Sequence, residues 1–323
     1  MPKVSKISDK IQEIKIDNPK TKDNSLKWIS IANAEKKEID YLRRKFGFNI
    51  SHLRASTATV FAQRPMVETE DSYVFIILHF PTFKDGKIVP GEIEFFIGHG
   101  YLITLHNGNL KPLNDFFDYC KNNTGQLLSY ETESSSILLY ELLSRLIKDC
   151  YNILDQNSIN INDVEEIIFE GDQKHAVSRI LELRRNIINI RKILQNHVNI
   201  LKRLQDMKSG LVPHESIKQH YEDLEEHSRR IWEVLDLQKE MIEVLNDTNE
   251  SLLNDKMNII MKTLTIISVL VLPLNLMAGI FGMNTVSSMP FVNNNYGFWI
   301  ILLIMGGSLL ALLAFFTKKR WLD

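Results

Sequence analysis

The sequence has 323 residues and a formal net charge of -2 at pH 7, from 38 Lys and Arg against 40 Asp and Glu. This balance argues against a general nucleic-acid-binding protein, which would carry a basic excess. Two cysteines, Cys120 and Cys150, are too few for a disulfide framework and suit a reducing compartment. The first 17 residues contain no apolar core, so we expect no secretory signal.

Strand-like and helix-like segments alternate in the first third of the chain. Four runs rich in β-branched and aromatic residues predict strands, at 26–32, 72–81, 92–97 and 101–106, and the short turn between the last two predicts an antiparallel hairpin. Helices are predicted over 33–46, with Asn33 as the N-cap and Gly47 as the stop, and over 113–122 and 134–154. Together these segments predict an α+β domain.

The chain after this domain is predicted to be helical. Apolar residues recur at steps of three and four from Ile187 to Leu204, and Gly210 and Pro213 then interrupt the pattern. A further helix starts near Glu215 and meets no Gly or Pro before Pro273. So long a helix requires partner helices, from this chain or from other copies of it. The acidic stretch from Asp163 to Asp172 is predicted at a turn between helices, where it is either solvated or attracts cations.

Two uncharged apolar stretches lie near the C-terminus, at 263–281 and 296–317. Each has the length that an α-helix needs to cross about 30 Å of hydrocarbon. Lys256 and Lys262 precede the first stretch, and the basic residues Lys318, Lys319 and Arg320 follow the second, whereas the connection carries no Lys or Arg. The positive-inside rule therefore predicts a two-span hairpin with both termini in the cytoplasm.

The first span carries a seam of polar and small residues. Thr265, Ser268 and Asn275 fall close to one face of the helix, and the same face continues to Asn258 and Gly279. Polar side chains at membrane depth usually face protein or water. Such a seam either joins two helices or, in several copies, encloses a channel; a single hairpin cannot enclose one.

The end of this span resembles a known family. Gly282-Met283-Asn284, followed by Met289-Pro290, resembles the GMN signature of the CorA family of divalent-cation transporters, and residues 258–284 are similar to that family's pore helix. The resemblance extends to the whole order of segments: an α+β cytoplasmic domain, a long stalk helix, a two-helix C-terminal transmembrane hairpin and a basic tail. It implies the following divisions: 1–130, N-terminal domain; 131–261, helical domain and stalk; 262–281, first span; 282–295, outer loop; 296–317, second span; and 318–323, tail.

The resemblance also implies a function and an assembly. The family forms a funnel-shaped homopentamer in the cell inner membrane that moves Mg²⁺, and in some members Co²⁺ or Ni²⁺, down its electrochemical gradient. It has no organic cofactor, and its partners are other copies of the chain, the lipid bilayer and divalent cations. The implied selectivity filter is Gly282, Met283 and Asn284, the implied basic ring is Lys318, Lys319 and Arg320, and the implied pore lining is Asn258, Met261, Leu264, Thr265, Ser268, Leu272, Asn275 and Gly279.

A regulatory metal site is implied in the stalk. Asp223 and His227 lie one helical turn apart, at the family's distance before the pore segment. There the acidic residue meets an aspartate of the neighbouring subunit, for which Asp85 is the candidate, and the bound Mg²⁺ holds the pore closed. The same acidic run is also compatible with a solvated stalk face.

Two other readings of the sequence stay open. Many family members carry an acidic residue after Met-Pro in the outer loop, but here Phe291 follows Pro290, so the related ZntB type, which couples Zn²⁺ to protons, is an alternative. A membrane-anchored coiled-coil scaffold is an alternative of another class. An enzyme is not expected, because no nucleotide-binding, nucleophile or paired-cysteine motif is present.

Overall fold

The computed structural model describes residues 5–17, 25–56, 64–84, 87–122, 135–206, 215–283, 290–291, 294–319 and 321. The chain divides into two compact units, Met1–Asn246 and Asp247–Asp323. The first unit contains a mixed sheet and most of the helices. The second contains the end of the longest helix and the C-terminal helix.

The sheet has seven strands in the order β1-β2-β3-β7-β6-β5-β4. Their bounds are β1 Ser5–Ser8, β2 Ile11–Asp17, β3 Ser25–Ala32, β4 Met66–Thr69, β5 Tyr73–Lys84, β6 Lys87–Gly98 and β7 Tyr101–His106. Strands β3 and β7 pair in parallel, and the other neighbours pair antiparallel. The four strands expected from the sequence are present, and β6 and β7 form the expected hairpin; β1, β2 and β4 were not predicted.

Helices cover both faces of the sheet. On one face, Ile29, Phe75 and Phe96 form a fully buried cluster with Leu42 of α1 (Lys36–Phe46) and Leu53 of α2 (Ile50–Ala55). On the other face, the Trp28 ring lies 4.9 Å from the ring of Phe117 in α3 (Lys111–Asn122), measured between centroids. Because Trp28 and Ile29 are consecutive in a strand, their side chains point to opposite faces. The first unit therefore closes its own core.

The start of α1 differs from the prediction. Asn33 was expected at the N-cap, but it adopts φ 51° and lies before the helix, and Glu35 is the N-cap residue. The backbone N–H of Glu35 donates to the Glu38 side chain at 3.0 Å, which satisfies one free donor of the first turn. The expected stop at Gly47 is present, with φ 69° in the left-handed region that favours glycine.

The helices that follow are longer or more divided than predicted. They are α4 Ser135–Glu170, α5 Gln173–Leu194, α6 His197–Asp206, α7 Glu215–Phe281 and α8 Gly297–Lys318. Helix α4 continues well beyond Leu154. Most of the acidic stretch therefore lies within the C-terminal end of this helix and not in the predicted connection between helices, while Asp172 caps α5. The periodic run from Ile187 to Leu204 is broken between α5 and α6 at Gln195–Asn196. The predicted break at Gly210 and Pro213 lies outside the described residues.

Two helices are long and apolar enough to cross a membrane. Helix α7 is 67 residues long and contains Pro273, and its C-terminal part has this character, as does the whole of α8. Only 6% of the most apolar window of each helix is buried. An apolar surface left this open must be covered by lipid or by other chains.

Candidate cation path and stalk site

The polar seam lies on an open face of α7. Thr265, Ser268 and Asn275 are exposed, as are Asn258 and Gly279. The three other residues with an implied pore-lining role are exposed too, namely Met261, Leu264 and Leu272. In one chain, therefore, nothing among the described residues covers this face.

The opposite face of α7 is the covered one. Ile266 is 6% exposed, and Leu270, Leu274 and Met277 on the same side are half-buried. Helix α8 likewise has one less exposed face, which ends at the buried Phe316. The matching faces indicate that the two helices of the hairpin lie against each other there. The seam points away from that contact.

The hydroxyl groups near the seam are satisfied by their own helix. Thr265 Oγ1 donates to the Met261 carbonyl and Ser268 Oγ to the Leu264 carbonyl, both at 2.8 Å. Donation to the residue four positions earlier removes the cost of an unpaired hydroxyl proton at membrane depth. The oxygen lone pairs stay available, so each hydroxyl can accept a hydrogen bond from the water of a hydrated ion.

Helix α7 ends where the three implied filter residues begin. The Gly282 N–H donates to the Ala278 carbonyl at 2.9 Å, and the Met283 N–H donates to the Ile280 carbonyl at 3.3 Å. Both residues are exposed. Asn284 lies outside the described residues, and so does Arg320 of the implied basic ring, whereas Lys318 and Lys319 are exposed at the end of α8.

The stalk residues Asp223 and His227 line one pocket between α4 and α7. Its volume is about 120 Å³, and its walls are Tyr140, Ser144, Lys148, Asp223, Leu224, Glu226, His227 and Arg230. Tyr151 Oη lies 3.2 Å from His227 Nδ1, which fixes the imidazole at the edge of the pocket. Burial raises the pKa of Tyr140, and the carboxylates of Glu141 and Asp223 raise it further. Asp223 therefore presents a carboxylate to the pocket and is itself exposed.

One chain does not supply a complete metal site at this pocket. Within the described residues, no three His, Cys, Asp or Glu side chains come together in a way that could hold an ion. Of the two carboxylates in the pocket, Glu226 pairs with Arg230, and Asp223 lines the same pocket as Lys148. Divalent cations of the Mg²⁺ type need several oxygen ligands. Asp85, the expected partner of Asp223, lies outside the described residues.

The sequence did not reveal the α4 side of this pocket. Tyr140, Ser144 and Lys148 repeat at steps of four, so they share one face of α4. That spacing could have identified them as one surface, but only the packing of α4 against α7 shows that they face Asp223.

A buried ionisable network in the sheet also went unpredicted. His79 of β5 and Glu92 of β6 are paired across the two strands, with Nε2 and Oε2 at 2.7 Å. Burial raises the pKa of Glu94 well above its ordinary value, and the neighbouring Glu92 adds to the effect. The shift favours the protonated form of Glu94, whose side chain hydrogen-bonds to Glu92. The network was missed because Glu92 and Glu94 alternate with apolar residues in the sequence. That alternation is typical of a strand with one solvated face.

The family comparison covers most of the chain. The family described as CorA-like Mg²⁺ transporter protein matches residues 23–320. Among curated relatives, the cobalt/magnesium transport protein CorA of Thermotoga maritima is 26% identical over 301 residues, which is 91% of this chain and 83% of the relative. A family of transporters agrees with the expectation that the chain is not an enzyme.

Solved structures share the fold. The complete CorA magnesium transporter of Methanocaldococcus jannaschii superposes with a TM-score of 0.85 at 23% identity and covers 99% of this chain and 95% of its own. The ZntB cytoplasmic domain of Vibrio parahaemolyticus gives a TM-score of 0.60 at 13% identity over 71% of this chain and 88% of its own. The cytoplasmic fold is thus common to CorA and ZntB and does not separate them. From the family match and the order of its segments, the chain belongs to the CorA-like Mg²⁺ transporter family.

Proposed function

We propose that the chain is a channel-type transporter that moves Mg²⁺ across the cell inner membrane, down its electrochemical gradient, through a pore enclosed by five copies. The first span of each copy lines the pore, and both termini lie in the cytoplasm. Relatives named as cobalt/magnesium and magnesium transport proteins support this cargo. The membrane potential contributes about 2.3 kcal/mol per charge per 100 mV, so a divalent cation needs no nucleotide-driven pump to enter.

The observation that carries the proposal is the exposed polar seam of α7. Thr265, Ser268 and Asn275 are open in one chain and lie opposite the less exposed face of α7. Polar groups facing lipid would be costly, whereas copies arranged around an axis would turn all of them towards water. Upstream on α7, Leu237 and Met241 are also exposed, at 61% and 46%, so apolar surface is available there for contact with another helix.

Asn284 forms the proposed ring at the outer mouth. Mg²⁺ is a small, hard cation that gives up its bound water reluctantly. A ring of neutral carboxamide oxygens can accept hydrogen bonds from those waters without removing them, whereas a carboxylate ring would bind the ion more strongly and delay its release. Gly282 and Met283 follow the end of α7 and directly precede Asn284 in the chain.

The composition of the seam favours Mg²⁺ over Zn²⁺. Residues 258–284 contain Asn, Thr and Ser but no His or Cys. Zinc is bound mainly by nitrogen and sulfur ligands, and hard cations by oxygen. Co²⁺ and Ni²⁺ remain candidates as further cargo, because hydrated ions of similar size would meet the same oxygens.

In the stalk, Asp223 is the proposed ligand of a regulatory Mg²⁺ shared with the next subunit. The incomplete set of ligands in one chain supports a shared site, with Asp85 of a neighbouring copy as the partner and His227 at its edge. Binding at this position ties two subunits together when cytoplasmic Mg²⁺ is high and so favours the closed pore.

The test of transport is ion flux through the purified chain in liposomes. Wild-type protein is expected to pass Mg²⁺ without a pH gradient, and Asn284→Ala is expected to abolish this flux while the assembly stays intact. Asn295→Ala, in the same loop, is the matched control and should keep the flux. Co²⁺, Ni²⁺ and Zn²⁺ are measured in parallel. Zn²⁺ flux that requires a pH gradient would favour the ZntB type, and assembly without any flux would favour the scaffold.

Regulation is tested by proteolysis of the stalk. Mg²⁺ is expected to protect wild-type protein, and Asp223→Ala is expected to weaken the protection. The control is Glu222→Ala, which removes a neighbouring carboxylate that does not line the pocket. Unchanged protection in Asp223→Ala would contradict the assignment.

A further inference from the structure

An open slot runs between α5 and α7 in the first unit. It has a volume of about 270 Å³ and is lined by Ile187, Ile188 and Ile242, with Arg184, Arg191, Lys239 and Glu243 around them. Arg191 stacks on the Trp232 ring at 5.0 Å and pairs with Asp236, so its guanidinium is held in place beside the slot. We call this feature the α5–α7 slot.

An exposed apolar stripe on α5 extends the slot. Val177, Leu181 and Ile188 are 41%, 56% and 57% exposed and follow one another at steps of four and seven. That spacing puts them on one side of the helix. Three large apolar side chains in a row on a soluble surface indicate a contact with another surface.

The charge of α5 limits what can cover the stripe. The helix carries six basic residues against the single acid Glu182, and these are Lys174, Arg179, Arg184, Arg185, Arg191 and Lys192. Arg184 and Arg191 pair with Glu243 and Asp236 of α7, and Arg179 pairs with Glu182. The basic residues left to meet an acidic partner are Lys174, Arg185 and Lys192, whose spacing puts them beside the apolar stripe.

The outer face of α4 has the complementary character. Between residues 155 and 170 this helix contains five acids and no Lys or Arg, namely Asp155, Asp163, Glu165, Glu166 and Glu170. Ile159 and Phe169 are exposed among them, at 53% and 69%. Within the described part of the chain, none of these five acids forms an ion pair with α5.

Helix α4 cannot fill the slot of its own chain. It turns its buried residues, Asn157, Ile161, Val164 and Ile168, towards the rest of the first unit, and Ile159 lies on the opposite side. The acidic face and the basic slot are therefore both open in one chain. Only a second copy can bring them together without unfolding the α4–α5 pair.

We propose that the α5–α7 slot receives the acidic outer face of α4 from a neighbouring copy of the chain. The inference rests on the proposed assembly and names the cytoplasmic contact between its subunits. Because the slot and the outer face of α4 are different surfaces, the contact is heterologous, and its repetition generates a ring when the rotation between neighbouring copies closes. The same chain supplies both partners, which favours a second copy over an anionic membrane; that membrane would be repelled by the acids of α4.

The experiment uses cross-linking between two full-length chains of different tag length. One chain carries Ile188→Cys and the other carries Ile159→Cys, and the co-purified protein is treated with a short bis-maleimide. The native thiols do not interfere, since both are buried, and burial raises the pKa of Cys120 to about 12 and also raises that of Cys150. The expected result is a cross-linked heterodimer.

Two controls decide the outcome. Each chain with one introduced cysteine, purified alone, should give no homodimer. When Ser178→Cys, exposed on another side of α5, is used in place of Ile188→Cys, the chains should stay unlinked. An oligomer of unchanged mass without the heterodimer would overturn the proposal, and so would equal cross-linking from Ser178→Cys or a particle of one chain. Flux measured on the same samples keeps the two proposals apart: a heterodimer without Mg²⁺ flux counts against transport but not against this contact.

Discussion

The two compact units of this chain solve the burial problem in opposite ways. In the first unit the sheet is covered on both faces by helices of the same chain, and Trp28, Phe75 and Phe96 have no exposed surface. In the second unit only 6% of each apolar window is covered. The sheet core of the first unit is therefore closed within one chain, whereas the apolar helices of the second unit need lipid or other chains around them. Substitutions in the first should change stability, and substitutions in the second should change transport.

The largest expected effect on stability comes from the core of the first unit. The Phe96 ring lies 4.4 Å from the Phe48 ring and 4.7 Å from the Phe75 ring, centroid to centroid. Phe96→Ala should lower the free energy of unfolding by about 3–5 kcal/mol, because it removes buried apolar surface and leaves a cavity. Phe83→Ala, at a ring that is 52% exposed, is the control and should change little. Denaturant unfolding measures both, and equal effects would contradict a closed core.

A second effect on the first unit depends on pH. The Gly108 N–H donates to His106 Nδ1 at 3.1 Å, and burial lowers the pKa of His106 to about 4. In the unfolded chain the pKa is about 6.5. Between these values the unfolded chain binds a proton that the folded chain excludes, so this residue's contribution to the free energy of unfolding falls as the pH falls.

The change across this window is on the order of 3 kcal/mol. His106→Asn, which retains an acceptor but does not titrate, should remove this part of the pH dependence. The difference between variant and wild type is measured from pH 7 to pH 4, which cancels the contribution of Glu94 with its opposite sign. A constant difference would show that His106 is not held neutral.

In the second unit, the seam is tested by comparing two threonines. Thr265 lies on the seam and Thr263 lies on the opposite side, yet both hydroxyls donate to the carbonyl four residues earlier. Thr265→Val should reduce Mg²⁺ flux about fivefold, which corresponds to the loss of one hydrogen bond of about 1 kcal/mol to a hydrated ion. Thr263→Val should leave flux unchanged. Equal losses would contradict a seam that faces the ion path.

The smallest expected effect is at the end of α1. Gly47 has φ 69° with no atom within 4 Å of the position that a Cβ would occupy, so only the backbone conformation opposes a side chain. Gly47→Ala should cost about 1 kcal/mol of unfolding free energy, and Gly47→Asn less, because Asn tolerates this conformation better. Thermal unfolding measures the difference between the two variants. An alanine as stable as glycine would show that α1 ends in another way.

The accuracy of the sequence predictions followed the strength of each local signal. Strands β5, β6 and β7 were found because each is a run of β-branched and aromatic residues between turn residues. Strands β1, β2 and β4 were missed because they are short or alternate with charged residues, as in Ile11–Asp17. The break between α5 and α6 at Gln195–Asn196 has no Gly or Pro to mark it. Tertiary packing decides such cases.

The candidate sites show the same limit. Helical spacing alone put Thr265, Ser268 and Asn275 on one face, because that relation lies within a single helix. The pocket of Asp223 joins α4 and α7, which are far apart in sequence, and no local pattern connects Lys148 to Asp223. The roles of Asn284 and Asp85 remain predictions from the family resemblance, since both lie outside the described residues.

The most direct test of the central claim is whether water reaches the seam. Ser268→Cys on the seam and Ile267→Cys beside it are each reconstituted in liposomes and exposed to a charged, water-soluble thiol reagent while Mg²⁺ flux is recorded. We expect the reagent to stop flux through Ser268→Cys and to leave flux through Ile267→Cys unaffected. Block at Ile267→Cys, with none at Ser268→Cys, would show that another face of α7 lines the path.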